Sequence, residues 1–164
     1  MRNLFNIDEI FEMAEQIERN GVAFYNKAAE LFPEYTKKSI FLKLAEMEKE
    51  HERRFHQMRL ELAKKEREIS QFVDPQGEAA AYLRAMVSGK VFDPKLDPTK
   101  RFKDIKSVSE LLRIAIDIEK DSIIFYLGLK EMVPQGLGKD KIEFIVREEM
   151  SHVAILSDML EKIS

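Results

Sequence analysis

Glu48-Lys49-Glu50-His51 lies in a segment where apolar residues recur at alternating steps of three and four: Phe41, Leu44, Phe55, Met58 and Leu62. Glu48 and His51 take the two remaining positions of that face. A carboxylate and an imidazole therefore fall in the seam that an amphipathic helix turns toward its core. An unpaired carboxylate at such a depth costs several kcal/mol. The chain must supply a compensating charge for Glu48 and a partner for His51, and a metal ion would do both.

The same pattern returns near the C-terminus as Ile142, Ile145, Glu149, His152, Leu156, Met159 and Ile163. The two motifs are offset by 101 residues, and the offset extends beyond them. It pairs Ala14 with Ala115, Ile17 with Ile118, Glu18 with Glu119, Phe24 with Phe125, Tyr25 with Tyr126 and Pro33 with Pro134. The chain reads as a duplicated helical hairpin, about 6–65 and 107–164, forming one domain over residues 1–164. Each copy contributes a lone Glu, a Tyr seven residues later and one Glu-x-x-His.

Composition excludes several alternatives. At 164 residues and 45% hydrophobic the chain is long enough to bury one substantial core. The net charge of −3 comes from interleaved acids and bases, with no basic face for nucleic acid and no polybasic cluster for a membrane surface. There is no cysteine, which removes disulfides, thiolate zinc sites and Cys-held iron centres, so electron transfer would require an outside donor. No segment approaches the roughly 20 apolar residues of a membrane span, and residues 1–15 lack the apolar run of a signal peptide, which points to a cytoplasmic location.

In chain order, Asn6 followed by Asp8 and Glu9 predicts the start of a first helix. Its seam is Ile10, Ala14, Ile17, Gly21, Phe24, Ala28 and Leu31, flanked by a column of Phe11, Glu18, Tyr25 and Phe32 in which Glu18 is the misfit. Pro33 ends it, and Thr36 or Ser39 is the expected cap of a second helix from about Lys38 to Lys65. The outer face of that helix, Lys49, Glu52, Arg53, Arg59, Glu61 and Lys64, reads as solvated, and His56 as an exposed histidine rather than a ligand. Residues 66–106 form a crossover punctuated by Pro75, Gly77, Gly89, Pro94 and Pro98, with a short helix from about Glu78 to Ser88 through Ala79, Tyr82, Leu83, Met86 and Val87. Ser107-Val108-Ser109-Glu110 is a capping box that opens a third long helix to about Met132, with the column Leu112, Glu119, Tyr126 and Val133. Pro134, Gly136 and Gly138 make a turn, and a fourth long helix runs from about Lys139 to Ile163.

Glu18, Glu48, His51, Glu119, Glu149 and His152 are thus the polar residues standing in apolar seams. They match the ligand set of di-iron and di-manganese bundles: one Glu from each of two helices and Glu-x-x-His from each of the other two. A single Glu-x-x-His arises easily by chance in a chain this rich in Glu. Two of the chain's three histidines at matched places, each with a matched lone Glu, are much harder to dismiss. Four carboxylates with two neutral imidazoles carry −4, which two divalent cations neutralise. Glu48 and Glu149 are placed to bridge, with His51 and His152 terminal on one ion each. Tyr25 and Tyr126 have two readings, either core tyrosines needing one partner for the hydroxyl or groups that steady a ligand carboxylate during catalysis.

At these residues the chain resembles the rubrerythrin branch of the ferritin-like superfamily. The resemblance rests on Ile17-Glu18 with Phe24-Tyr25, Glu48-x-x-His51, Ile118-Glu119 with Phe125-Tyr126, and Glu149-x-x-His152. It implies an all-α, ferritin-like antiparallel four-helix bundle with a long crossover between the second and third long helices. It further implies a non-haem site of two iron ions per chain, replaceable by manganese or zinc, handling hydrogen peroxide, oxygen or ferrous iron in oxidative-stress defence. The alternatives are a ferroxidase or iron-handling module and a structural metal-binding bundle. A homodimer follows from the same resemblance, with domain-swapped hairpins as one route to it, as does an external donor such as a rubredoxin-type protein. The chain departs from the family in lacking the four-cysteine rubredoxin domain, which aligns it with single-domain forms. It also carries Ser122 where rubrerythrins place a further Glu.

Overall fold

In the computed structural model, which describes residues 7–65, 78–87, 98–133 and 135–163, the apolar periodicities become five α-helices. They are α1 (Ile7–Leu31), α2 (Tyr35–Lys64), α3 (Glu78–Val87), α4 (Val108–Met132) and α5 (Lys139–Ile163), with a 3-10 segment at Pro98–Asp104. The four long helices form the bundle, and the crossover carries α3 and the 3-10 segment. Asn6, Pro134 and crossover residues 66–77 and 88–97 lie outside the described residues. None of the described helices is long and apolar enough to cross a membrane.

Side-chain pairs fix the helix directions. Between α1 and α2, Asp8 meets Arg59, Glu15 meets His56 and Arg19 meets Glu52, so one number falls as the other rises and the helices are antiparallel. Between α1 and α4, Tyr25 donates to Glu119 and Tyr126 donates to Glu18, which is again antiparallel. Across α2 and α5, Glu61 pairs with Lys141, Arg54 lies over the Phe144 ring and Glu48 approaches His152. All of these agree with the topology read from the sequence.

The core lies between these helices. Phe11, Phe24, Phe41, Leu44, Phe55, Leu112, Phe125, Ile142, Ile145 and Leu156 are all buried. Phe55 of α2 stands edge-on to Phe11 of α1, with centroids 6.2 Å apart, and tilted to Tyr126 of α4 at 4.9 Å. The crossover contributes Leu83 of α3, buried against Gly128 of α4, and Phe102 of the 3-10 segment, 5.0 Å from Phe24. Gly128 leaves room for this approach, since a Cβ there would lie 2.7 Å from the Tyr82 ring. In the α4–α5 connection Gly136 and Gly138 take φ of 81° and 124°, values that L side chains rarely adopt.

Several local expectations need correction. Helix α2 starts at Tyr35, and its cap is Glu34 with no side-chain hydrogen bond, so neither Thr36 nor Ser39 is the cap. A single extended residue after Pro33 suffices to reverse the chain, because the carbonyl of Glu34 already accepts the Lys38 N–H. Leu31 and Ile163, the last residues of their seams, are exposed, as fits a seam that runs past the end of its partner helix. Arg59 and Glu52 are not simply solvated, because Arg59 forks onto Asp8 at 2.6 and 2.7 Å and Glu52 accepts from Arg19 at 2.9 Å. Ser107 caps α4 as expected and accepts from the Glu110 N–H. The Glu110 carboxylate returns to the Lys106 N–H, one residue earlier than a capping box would place it.

Phe55→Ala removes a ring that ties three helices together, and its expected cost is about 3–5 kcal/mol. Urea denaturation followed by circular dichroism measures this. A loss below about 1 kcal/mol would show that the three-helix contact does not carry the core.

Candidate metal centre

The two Glu-x-x-His motifs put Glu48 and His51 on one face of α2, and Glu149 and His152 on one face of α5, because residues three apart on a helix are neighbours. Glu18 and Glu119 enter from α1 and α4. All six are buried, and both imidazoles are fully so. They form two groups: Glu18, Glu48, His51 and Glu149, and Glu48, Glu119, Glu149 and His152. Within each group one ligand atom per residue lies within 4.8 Å of the others. Glu48 and Glu149 belong to both.

The Nδ1 atoms point inward. His51 Nδ1 is 3.2 Å from Glu149, 3.5 Å from Glu18 and 3.8 Å from Glu48. His152 Nδ1 is 2.9 Å from Glu149, 3.0 Å from Glu48 and 3.6 Å from Glu119. The two rings lie nearly parallel, 5.6 Å apart. Glu18 Oε2, Glu48 Oε1, both Glu149 oxygens and both Nδ1 atoms are buried without a hydrogen-bond partner. Buried polar groups are nearly always satisfied, so this convergent set of unsatisfied atoms marks a place for a cation.

The tyrosines do not serve the carboxylates of their own helices. Seven residues span about 10 Å along a helix, too far for Tyr25 to reach Glu18. The antiparallel crossing of α1 and α4 instead sets Tyr25 against Glu119 and Tyr126 against Glu18, and each hydroxyl donates across the bundle. Burial raises both phenols well above their usual range, and the nearby carboxylates, Glu119 for Tyr25 and Glu18 for Tyr126, push the same way, so both stay neutral donors. His56 is more than half exposed, lies 3.3 Å from Glu15 and belongs to neither group.

Two neighbours of the site were not singled out from sequence. Gly21 faces Glu48, and a Cβ built on it would lie 3.1 Å from Glu48 Cγ. The available signal was a glycine at mid-helix, three residues after a buried Glu, where it costs about 1 kcal/mol relative to Ala. Glu148 contacts His51 Nε2 at 2.7 Å. Nothing in the sequence separates it from the many exposed glutamates.

The electrostatics without metal are those of a proton-balanced cage. Burial, then the charges of Glu48 and Glu149, raises Glu18 and Glu119 well above the usual carboxyl range. Burial also opposes the charged forms of Glu48 and Glu149. For Glu48 the proton-bearing neighbours Glu18, His152 and His51 outweigh it, and for Glu149 the two imidazoles do, so both lie below the usual range. Burial would lower the histidines, but the surrounding carboxylates reverse this. His51 lies far above its ordinary value, and His152 is pushed up to about 12.

No protein-family model and no curated protein matches the chain. Among solved structures, it is similar to a Thermotoga maritima protein described as a candidate ferritin-like diiron-carboxylate protein. The TM-score is 0.71 at 24% identity, and the match covers 100% of both chains. That likeness establishes a ferritin-like fold.

Two outcomes follow from this geometry. Gly21→Val forces its side chain into the Glu48 volume, so metal affinity should fall at least about tenfold while the helical circular dichroism spectrum is retained. Unchanged affinity would show that the close approach is incidental. The second concerns pH. Folded-state values of Glu18, Glu119, His51 and His152 are raised above 4.5 for the carboxyls and 6.5 for the imidazoles. Their contribution is complete below those values and is lost as pH rises toward the folded ones, at about 1.4 kcal/mol per pH unit per proton. Glu48 and Glu149 act oppositely, but only at acid pH. The thermal midpoint of the metal-free protein should therefore fall from about pH 6 to about pH 9. A rising midpoint would contradict the proton-balanced cage.

Proposed function

We propose that this chain is a di-metal carboxylate oxidoreductase with two iron ions as its native pair, acting on hydrogen peroxide or oxygen. The observation supporting this most strongly is the pair of four-residue groups that share Glu48 and Glu149. Glu18 and His51 would complete one position, and Glu119 and His152 the other. Oxygen-rich sites with one imidazole per ion suit iron or manganese, and zinc can take the same donors without redox chemistry. Six ligands for two ions leave coordination positions open, which purely structural sites generally lack.

Bound iron would supply the electrons: two Fe(II) becoming two Fe(III) reduce one hydrogen peroxide, with two protons, to two waters. The chain's own residues do the rest. The four carboxylates hold the charge of the pair in a core closed to water, and Tyr25 and Tyr126 fix Glu119 and Glu18 by donating to them. No residue of these 164 is a cysteine that could hold an electron-transfer centre, and a rubredoxin-type donor would return the site to the ferrous state. A single domain, a homodimeric state and a cytoplasmic location belong to the same proposal.

A second reading, oxidation of Fe(II) and its onward transfer, is favoured by one observation. The Ser122 hydroxyl is turned back to the Ile118 carbonyl at 3.1 Å, so the position three residues after Glu119 adds no carboxylate. The rubrerythrin pattern has one there.

Protein grown with iron should contain about two equivalents per chain, falling below half an equivalent in the Glu48→Ala, Glu149→Ala double variant. Unchanged content would remove the assignment. Stopped-flow mixing of the anaerobic ferrous protein with each oxidant separates the chemistries. Rapid stoichiometric oxidation by peroxide supports the oxidoreductase, and sustained oxidation of added Fe(II) by oxygen supports iron handling. Oxidation no faster than that of free Fe(II) leaves a structural metal bundle.

A further inference from the structure

The two halves of the site match in all six ligands and both tyrosines but differ in what meets the outer nitrogen of each imidazole. Each position has a lone Glu, a Glu-x-x-His and a tyrosine donating across the bundle. His51 Nε2, on the side of the ring away from the cluster, contacts the Glu148 carboxylate at 2.7 Å. His152 Nε2 is buried and has no hydrogen-bond partner. The 101-residue offset maps His51 onto His152 and Glu148 onto Met47. Met47 is half-buried, and its thioether is at best a weak acceptor.

Resting on the di-metal reading, we propose that Glu148 is a positioning residue that makes the two metal positions unequal, the His51 position binding tightly and the His152 position more weakly and exchangeably. By accepting the Nε2 proton, Glu148 fixes the tautomer that turns the Nδ1 lone pair toward the cluster, and it holds the ring in place. The His152 imidazole has no such anchor and keeps an unsatisfied buried N–H. Outer partners of this kind are typically worth 10–100-fold in metal affinity. The chain thus retains one ion while the other position fills and empties.

Anaerobic calorimetric titration of the metal-free protein with Co(II), with Co(II) absorption recorded in parallel, tests this. Repulsion between cations sharing Glu48 and Glu149 separates two binding steps even in a symmetric site, so the decisive result is the change between variants. Glu148→Met should weaken the tighter step about 10–100-fold and bring the two together, with Glu148→Gln, which keeps an acceptor, recovering part of the loss. Met47→Glu should strengthen the weaker step, a gain that a merely structural role for Glu148 would not produce. Circular dichroism confirms folding of each variant. If folded Glu148→Met leaves the tighter step unchanged, or folded Met47→Glu leaves the weaker one unchanged, the inequality does not arise from this pair and the inference fails. Should the unaltered protein bind no Co(II), the di-metal reading itself fails.

Discussion

Four carboxylates share one dry core, and the surrounding structure accommodates that fact. Ionised together they would repel one another in a medium that screens poorly. Without metal, protons solve the problem. Burial and the neighbouring charges raise Glu18 and Glu119 toward their acid form, while Glu48 and Glu149 are lowered and the two imidazoles raised, which favours ion pairs between them. These shifts favour a neutral core, with protons in the place that the proposed cations would take. Two divalent cations, as proposed, would preserve the same charge balance.

That constraint reaches into the helices. A carboxylate in a core needs donors it can reach, and the antiparallel crossing of α1 and α4 supplies them by setting each tyrosine against the glutamate of the opposite helix. It also needs room. Gly21 gives Glu48 its place at a cost in helix propensity. Stability has to come from elsewhere, and the phenylalanines stacked above and below the site, Phe11, Phe24, Phe41, Phe55 and Phe125, are fully or almost fully buried. The polar layer is sandwiched between apolar ones, and their packing offsets the desolvation of the charged layer.

How much of this was legible in the sequence depended on whether a residue broke a pattern. Glu48, His51, Glu149 and His152 were visible because they interrupt apolar seams, and the 101-residue offset supplied Glu18 and Glu119 as a matched pair. The long-helix boundaries followed from Pro33, the Ser107 cap and the glycines of the α4–α5 turn. Glu148 was invisible, since a surface-side glutamate breaks no pattern and its role arises only when α5 is laid beside α2. The tyrosine partners were hidden for the same reason. Sequence spacing places Tyr25 on the column of Glu18, whereas the partner is chosen by the crossing of two helices far apart in the chain. The α2 cap was misread because Thr36 and Ser39 carry the right side chains, yet the backbone had already re-entered the helix after Glu34.

The places where the two halves diverge have a physical logic. Residues that face the buried charge are matched: Glu with Glu, His with His, Tyr with Tyr. One step outward the match loosens, with Gly21 opposite Ser122 and Met47 opposite Glu148 in the 101-residue alignment. At Ser122 the change is neutral in polar terms, because the hydroxyl is satisfied by the backbone of its own helix. At Met47 and Glu148 it is not neutral, because one imidazole gains an anchor and the other keeps an unsatisfied buried nitrogen. An unsatisfied buried donor costs about 1–3 kcal/mol, and a core that tolerates this on one side only keeps its ligands matched while the groups that contact the outer imidazole nitrogens differ. The charge balance fixes the inner residues as a set, whereas the outer ones act on one imidazole at a time, so only there can the two positions become different without disturbing the fold.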